Sequence, residues 1–108
     1  MNKYRDKSYF EINKAVAECK YGIGCTGKTQ GGDVIVFTDS FTAVFDPCNN
    51  PADAMPIIIE NGISSLFNGD EWICSALDGE FLSINENLYR AGCEVFLMMK
   101  DAENETNT

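Results

Sequence analysis

Two turn dipeptides divide the second half of the chain and limit the folds that it can adopt. Asn68-Gly69 and Asp78-Gly79 stand on either side of the run EWICSAL, and the apolar runs ISSLF and EFLSI lie beyond them. Asn-Gly and Asp-Gly suit the positive φ angles of two-residue hairpin turns. The pattern therefore predicts three consecutive antiparallel strands, a β-meander.

The central strand of this meander is apolar on both predicted faces. Trp72, Cys74 and Ala76 alternate with Ile73 and Leu77, and successive side chains of a strand point to opposite sides of the sheet. A strand with two apolar faces is typical of a sheet that is covered on both sides. We therefore expect other elements to pack on both faces of the meander.

The remaining elements are predicted from capping residues and hydrophobic periodicity. Ser8 with Glu11, and Ser83 with Glu86, form capping-box patterns at two helix starts, and Asn50 precedes a proline that suits the first helical position. A further β-hairpin turns at Asp39-Ser40 and pairs residues 34–38 with 41–46. The predicted helices cover residues 9–19, 51–60 and 86–100.

Together these elements predict one small α+β domain over residues 1–100. The order is α-β-β-α-β-β-(β)-α, with a mainly antiparallel sheet of four to five strands and three helices. The last segment, DAENETNT at residues 101–108, is polar and is predicted to be a disordered tail.

A glycine-rich stretch at residues 21–33 contains a nucleotide-binding pattern. Gly22, Gly27, Lys28 and Thr29 fit G-x-x-x-x-G-K-[ST], whose backbone cradles phosphate when a strand precedes it and a helix begins at the Lys-Thr pair. Here a predicted helix precedes the stretch and a strand follows it. We therefore interpret the match as chance and the stretch as a flexible glycine connection.

Charge is distributed unevenly along the 108 residues, whose formal net charge is −9. Residues 29–99 contain eleven acids and a single base, Arg90. Such a surface repels nucleic acid and anionic lipid, and it attracts a basic protein surface. Solubility alone is the other explanation. Six of the eight bases lie at the start of the chain: Lys3, Arg5, Lys7, Lys14, Lys20 and Lys28.

The residue inventory argues against familiar catalytic and metal sites. The chain has no His, and its five Cys lack the C-x-x-C spacing of zinc knuckles. We predict no catalytic residues, no cofactor and no metal site. No run suits a signal peptide or a membrane span, so we expect a reduced cytoplasmic protein whose thiols are mostly buried.

Three blocks of the sequence resemble the NinX-like family of bacteriophage proteins. They are FEINKAVAE at residues 10–18, FDPCNNPADAMPIIIENGIS at 45–64 and LYRAGCEVFLMM at 88–99. The resemblance implies a phage origin and action in the host bacterial cytoplasm. It implies no enzymatic activity, because the family has no established function.

These observations lead to two functional hypotheses. The first is a non-enzymatic accessory protein that binds and inhibits or redirects a host factor, for which counter-defence is one setting, through Asp70, Glu71 and Trp72. Homo-oligomerisation is compatible with it. The alternative is a small-ligand sponge that sequesters a nucleotide-like signal at residues 22–32, where backbone N–H groups and nearby bases could hold phosphate. Its ligand-binding residues would be Gly22, Gly24, Gly27, Lys28 and Thr29.

Overall fold

The computed structural model describes residues 2–106 and contains two three-stranded antiparallel sheets and three helices. The α+β class and the three helices are confirmed. The prediction of a sheet of four to five strands is wrong, because six strands form two separate sheets. The helices are α1 (Tyr9–Tyr21), α2 (Pro51–Glu60) and α3 (Leu88–Thr106); the strands are β1 (Thr26–Lys28), β2 (Val34–Phe37), β3 (Thr42–Val44), β4 (Ser64–Phe67), β5 (Trp72–Ala76) and β6 (Phe81–Asn85).

Strand β1 lies inside the stretch that the sequence predicted to be a flexible connection. Its three residues pair with β2, and Gly27 lies opposite Ile35. A Cβ atom on Gly27 would stand 3.0 Å from Cε2 of Phe37 and 3.2 Å from Cγ2 of Ile35. The absence of a side chain therefore lets Phe37 lie over the strand, so this glycine serves close packing.

Helix α3 forms the centre of the core and packs against α1, α2, β5 and β6. From α1, Ile12, Val16 and Ala17 are fully buried. Gly92 of α3 approaches Ile58 of α2 so closely that a Cβ atom would lie 2.7 Å from Cδ1 of Ile58. The buried residues of α3 include Ala91, Cys93, Val95, Phe96 and Leu97.

Two of the predicted helix starts are confirmed by their capping hydrogen bonds. The Ser8 hydroxyl accepts from the N–H of Glu11 at 3.0 Å, and the Glu11 carboxylate accepts from the N–H of Ser8 at 3.1 Å. The Asn50 side chain accepts from the N–H of Ala52 at 3.0 Å. Each cap satisfies an N–H group that has no partner within the helix.

The third predicted cap is wrong. Ser83 lies within β6, and its hydroxyl donates to Glu94 at 2.7 Å. Asn87 caps α3 instead: its side-chain oxygen accepts from the N–H of Tyr89 at 2.9 Å. The strand thus continues to Asn85, through three of the four residues that resembled a capping box.

Helix α3 also continues to Thr106, through most of the segment predicted to be a disordered tail. Asp101 accepts a hydrogen bond of 2.5 Å from the Tyr4 hydroxyl and lies 3.2 Å from Nζ of Lys3. These contacts hold the helix to the start of the chain. Residues 107–108, the end of the predicted tail, lie outside the described residues.

Candidate functional site

The side of the second sheet that faces away from α3 is apolar and exposed. Leu66, Ile73 and Ile84 form one row across its three strands, and Leu82 lies beside this row on β6. Leu66, Ile84 and Leu82 are 66%, 46% and 45% exposed. We call these four residues the outer face.

The expectation that both sides of the meander are covered is therefore wrong. Cys74, Ala76 and Ser83 point toward α3 and are buried. Their neighbours on the same strands point the other way, toward solvent. A contiguous exposed group of large apolar side chains is a common feature of protein-binding surfaces.

The turn between β4 and β5 brings together the three predicted partner-binding residues. The Asn68 side chain accepts from the N–H groups of Asp70 at 3.0 Å and Glu71 at 2.8 Å, which fixes the turn. Asp70 is exposed and Glu71 is partly exposed. The half-buried Trp72 packs against the exposed Phe67, with ring centroids 5.0 Å apart.

A cleft of about 300 Å³ connects this turn with the outer face. Glu71, Leu82 and Ile84 line it from the sheet, and Asn2 and Arg5 line it from the start of the chain, beside Ser83. A base therefore lies next to β6, whereas the turn beside β4 carries carboxylates. The cleft beside β6 also contains the carboxylate of Glu71, so its lining includes both a base and an acid.

Arg90, the only base of residues 29–99, is buried. Arg90 and Glu94 are 5% and 1% exposed, and their side chains form an ion pair. The Arg90 guanidinium also donates to the backbone oxygens of Tyr4 at 3.0 Å and Lys7 at 2.7 Å. The sequence did not predict this network, since Tyr4 and Lys7 are more than eighty positions away from Arg90.

Glu94 is the acceptor at the centre of the same network. It accepts from the Asn2 side chain at 2.6 Å and from the Ser83 hydroxyl at 2.7 Å. A buried charge with such a complete set of partners is a structural group. Because Arg90, the single base of residues 29–99, is buried in this network, the exposed charged side chains of residues 29–99 are all acids.

The residues of the nucleotide-binding pattern lie in a hairpin. Lys28 is the last residue of β1, and the chain turns back into β2 without a helix. Its Nζ lies 4.9 Å from the centre of the Phe10 ring. The Thr29 hydroxyl accepts from the N–H of Asp33 at 3.0 Å. The local backbone thus differs from a phosphate-cradling loop, in which a helix begins at the Lys-Thr pair.

The two preceding glycines, Gly22 and Gly24, lie at and just after the end of α1. Gly22 has φ +106° and donates its N–H to the carbonyl of Glu18 at 2.9 Å, which closes the helix. Gly24 follows in the turn that leads to β1. Whether residues 22–32 bind a small ligand stays a prediction.

Two further arrangements bear on possible chemistry. Within residues 2–106, no three or more Cys, Asp or Glu side chains come together as a set of metal ligands. A cleft of about 580 Å³ beside α3 has Glu80, Phe81, Met99 and Glu103 in its lining. Its two carboxylates disfavour an anionic ligand.

Burial makes the core cysteines poor nucleophiles. Cys48, Cys74 and Cys93 are buried, and the pKa of Cys74 is raised to about 11 because burial disfavours the thiolate. The pKa of Cys93 is raised by its hydrogen bond with Cys48 and by burial. The thiolate is the reactive form, so these thiols act as small packing groups.

The fold and the surface together define a small α+β domain whose second sheet has an exposed apolar face. Residues 3–100 match the family described as Bacteriophage P22, NinX. Because the match covers nearly the whole chain, the protein belongs to this phage family. No curated protein and no solved structure matches the chain. None of the helices in residues 2–106 is long and apolar enough to cross a membrane.

Proposed function

We propose that this phage protein is a non-enzymatic accessory protein that binds a host cytoplasmic protein and thereby inhibits or redirects it. Counter-defence is the setting that a phage accessory protein suggests. The observation that supports binding is the outer face: Leu66, Leu82 and Ile84 are exposed in one contiguous group on a regular sheet. Burying such a group against a partner is favourable in proportion to the apolar area removed from water.

The chemistry of the surroundings indicates what kind of partner would fit. Residues 29–89 contain no Lys or Arg, and the acids Asp70, Asp78 and Glu80 lie at the two turns of the second sheet. A partner with apolar side chains at its centre and bases at its rim would complement this surface. Charge of opposite sign would also accelerate the encounter.

The contacts that two residues of the nucleotide-binding pattern make within the protein support a role without catalysis. Lys28 lies over the Phe10 ring, and Thr29 is engaged with Asp33 within the hairpin. Neither side chain extends toward the outer face, which belongs to the other sheet. The proposed activity therefore depends on surface complementarity.

The test is capture from infected-host lysate by the immobilised protein and by two variants. Leu66→Lys places a charge in the outer face. Val44→Lys makes the same change in charge on an exposed strand of the other sheet, so it is the matched control. We expect the wild type and Val44→Lys to retain one stoichiometric host protein, and Leu66→Lys to lose it.

Two results would contradict the proposal. Equal capture by Leu66→Lys and Val44→Lys would remove the outer face from the interaction. Release of phosphorylated small molecules on heat denaturation, with no bound protein, would favour the ligand-sequestering alternative at residues 22–32.

A further inference from the structure

Strand β4 is an open edge of the second sheet. All four of its residues, Ser64–Phe67, are exposed, and the sheet order β4-β5-β6 leaves one of its sides without a partner strand. The opposite edge differs, since the start of the chain lies against β6, where the Asn2 side chain donates to the Ser83 hydroxyl at 3.2 Å. The β4 edge is the more exposed of the two, because all four residues of β4 are exposed, whereas Ser83 of β6 is buried and Phe81 and Asn85 are partly buried.

The register determines which backbone groups point away from the sheet. The N–H of Asn68 donates to the carbonyl of Glu71 at 3.0 Å. Hydrogen-bonded and non-hydrogen-bonded pairs alternate along an antiparallel ladder. Leu66 is therefore bonded to Ile73, whereas Ser65 and Phe67 direct their N–H and C=O groups outward. These groups are a template for another strand.

The strand also lacks the features with which proteins block such edges. Natural edge strands commonly carry Pro, Lys, an inward-pointing charge or a bulge. Strand β4 reads SSLF, and its four residues pair with β5 in continuous register. No proline, charged residue or bulge in this four-residue strand opposes the addition of another strand.

The side chains and charges around β4 indicate what kind of strand would bind to this edge. A strand added to this edge would place alternate residues beside Leu66 on the outer face and beside Phe67 on the other face. Glu60 precedes β4 and Asp70 follows it, and both are exposed. The occupant should therefore be apolar in its middle and basic at its ends.

We propose that the β4 edge binds an extended segment of the partner as an additional strand, with apolar residues beside Leu66 and Phe67 and Lys or Arg at its ends. This inference rests on the proposed function and specifies the partner's contact segment. A second copy of the chain is a poorer occupant, because it would bring Glu60 and Asp70 against the same acids and has a net charge of −9.

The direct test measures hydrogen exchange of single backbone amides by NMR. The probe is a short synthetic peptide with valine and isoleucine in its middle and lysine at both ends. Its control replaces every lysine with glutamate. We expect the basic peptide to slow exchange at Ser65 and Phe67 by about tenfold or more, because their amides become hydrogen-bonded. The acidic peptide should have no effect.

A variant that lacks one outward backbone N–H group of β4 gives a second test of peptide binding, with a matched control. Ser65→Pro removes an outward N–H from an edge strand, where proline is tolerated. Ser65→Ala removes the hydroxyl and keeps the N–H. The peptide should bind Ser65→Ala as it binds the wild type, and binding should weaken by about tenfold in Ser65→Pro, which corresponds to the loss of about one hydrogen bond. Amide spectra verify that both variants fold.

Each alternative result has a distinct meaning. Unchanged exchange at Ser65 and Phe67 with saturating basic peptide overturns the inference. Protection that rises with protein concentration and without peptide identifies a second copy as the occupant and also overturns it. If host-protein capture survives Ser65→Pro but is lost in Leu66→Lys, the inference fails and the proposed function stands. If the peptide protects β4 and no host protein is captured, the proposed function fails alone.

Discussion

Arg90 and Glu94 form an ion pair inside the protein, with Nε of the arginine 2.5 Å from Oε2 of the glutamate. The two residues are one helical turn apart on α3. Removing one partner of a buried pair leaves an uncompensated charge, so Arg90→Met should lower the free energy of unfolding by about 3–5 kcal/mol. Urea denaturation measures the change.

The control for this variant is an exposed pair at the same spacing. Lys14 and Glu18 lie one turn apart on α1, with Nζ and Oε2 separated by 3.2 Å. Water screens exposed pairs, so Lys14→Met should change stability by less than about 1 kcal/mol. Equal effects of the two substitutions would mean that burial does not determine the importance of the Arg90 pair.

Gly92→Ala should destabilise the contact between α2 and α3. Alanine is favoured over glycine in a helix by about 1 kcal/mol, but its Cβ atom would lie 2.7 Å from Cδ1 of Ile58. Overpacking of a buried contact costs about 1–3 kcal/mol, so we expect a net loss in thermal unfolding. Ile58→Ala removes both atoms that this Cβ atom would meet, Cδ1 at 2.7 Å and Cγ1 at 2.8 Å, so Gly92→Ala should cost less stability in an Ile58→Ala background than in the wild type. A stabilising Gly92→Ala would contradict the packing.

Asn50→Ala should lower stability by about 1 kcal/mol, since the N–H of Ala52 loses its capping acceptor. Asn50→Ser retains an acceptor oxygen and places no second carboxylate beside Asp53, to which the Asn50 amide donates at 3.3 Å, so it should remain close to the wild type. Chemical denaturation of the three proteins gives the comparison. Equal losses in both variants would show that the amide group acts through another contact.

Charge reversal at the β4–β5 turn should slow partner association. Asp70→Lys combined with Glu71→Lys removes the negative charge beside the outer face. The control reverses Asp33 and Asp39, which are exposed near the ends of β2 in the first sheet, and gives the same net charge. Stopped-flow mixing with the captured host protein should show a several-fold slower rate for the first pair only.

The rate of association with the host protein should also depend on the salt concentration. Because exposed charges are screened over about 10 Å at 0.1 M salt, the wild-type association rate should fall several-fold from low to high ionic strength. The rate of the Asp70 and Glu71 variant should depend less on salt. A salt-independent wild-type rate would remove the role of the acidic surface.

Cys74 should make the protein less stable at alkaline pH. Its thiol ionises near an ordinary value of 9.0 when unfolded and has a pKa of about 11 when folded. Ionisation therefore favours the unfolded state: the contribution is fully present below pH 9.0 and is lost as pH rises toward about 11. The slope is about 1.4 kcal/mol per pH unit for one group.

Comparison with Cys74→Ala isolates this contribution. The substitution lowers stability at neutral pH by leaving a cavity, but it should flatten the alkaline part of the curve. Urea denaturation at a series of pH values gives both curves. Parallel curves would show that the folded Cys74 thiol ionises normally.

The features predicted correctly from the sequence are those with local causes. The caps at Ser8 and Asn50 form between residues within one turn of a helix, so the sequence pattern contains all of the interacting groups. Ser83 and Glu86 show the same pattern, yet Ser83 is bonded to Glu94 of a different element. A distant partner changed the role of that residue.

The candidate site was predicted in part for the same reason. The turn residues Asp70 and Glu71 follow from a local Asn-Gly signal, and the structure places Trp72 beside them. The exposure of the outer face could not be predicted, because it depends on which side of the sheet α3 covers. Strand β1 was missed since Gly27 becomes part of a strand only through its pairing with β2.

The order of elements has a consequence for how the protein is made in the infected cell. Helix α3 is synthesised after the other helices and strands of residues 2–106, yet it supplies the core against which α1, α2, β5 and β6 pack. Arg90 and Asp101 also form hydrogen bonds with the first residues of the chain. A nascent chain without α3 has little core to collapse onto, so native packing of these elements waits until α3 has been synthesised. Until then, the apolar strands of both sheets are open to chaperones on the ribosome.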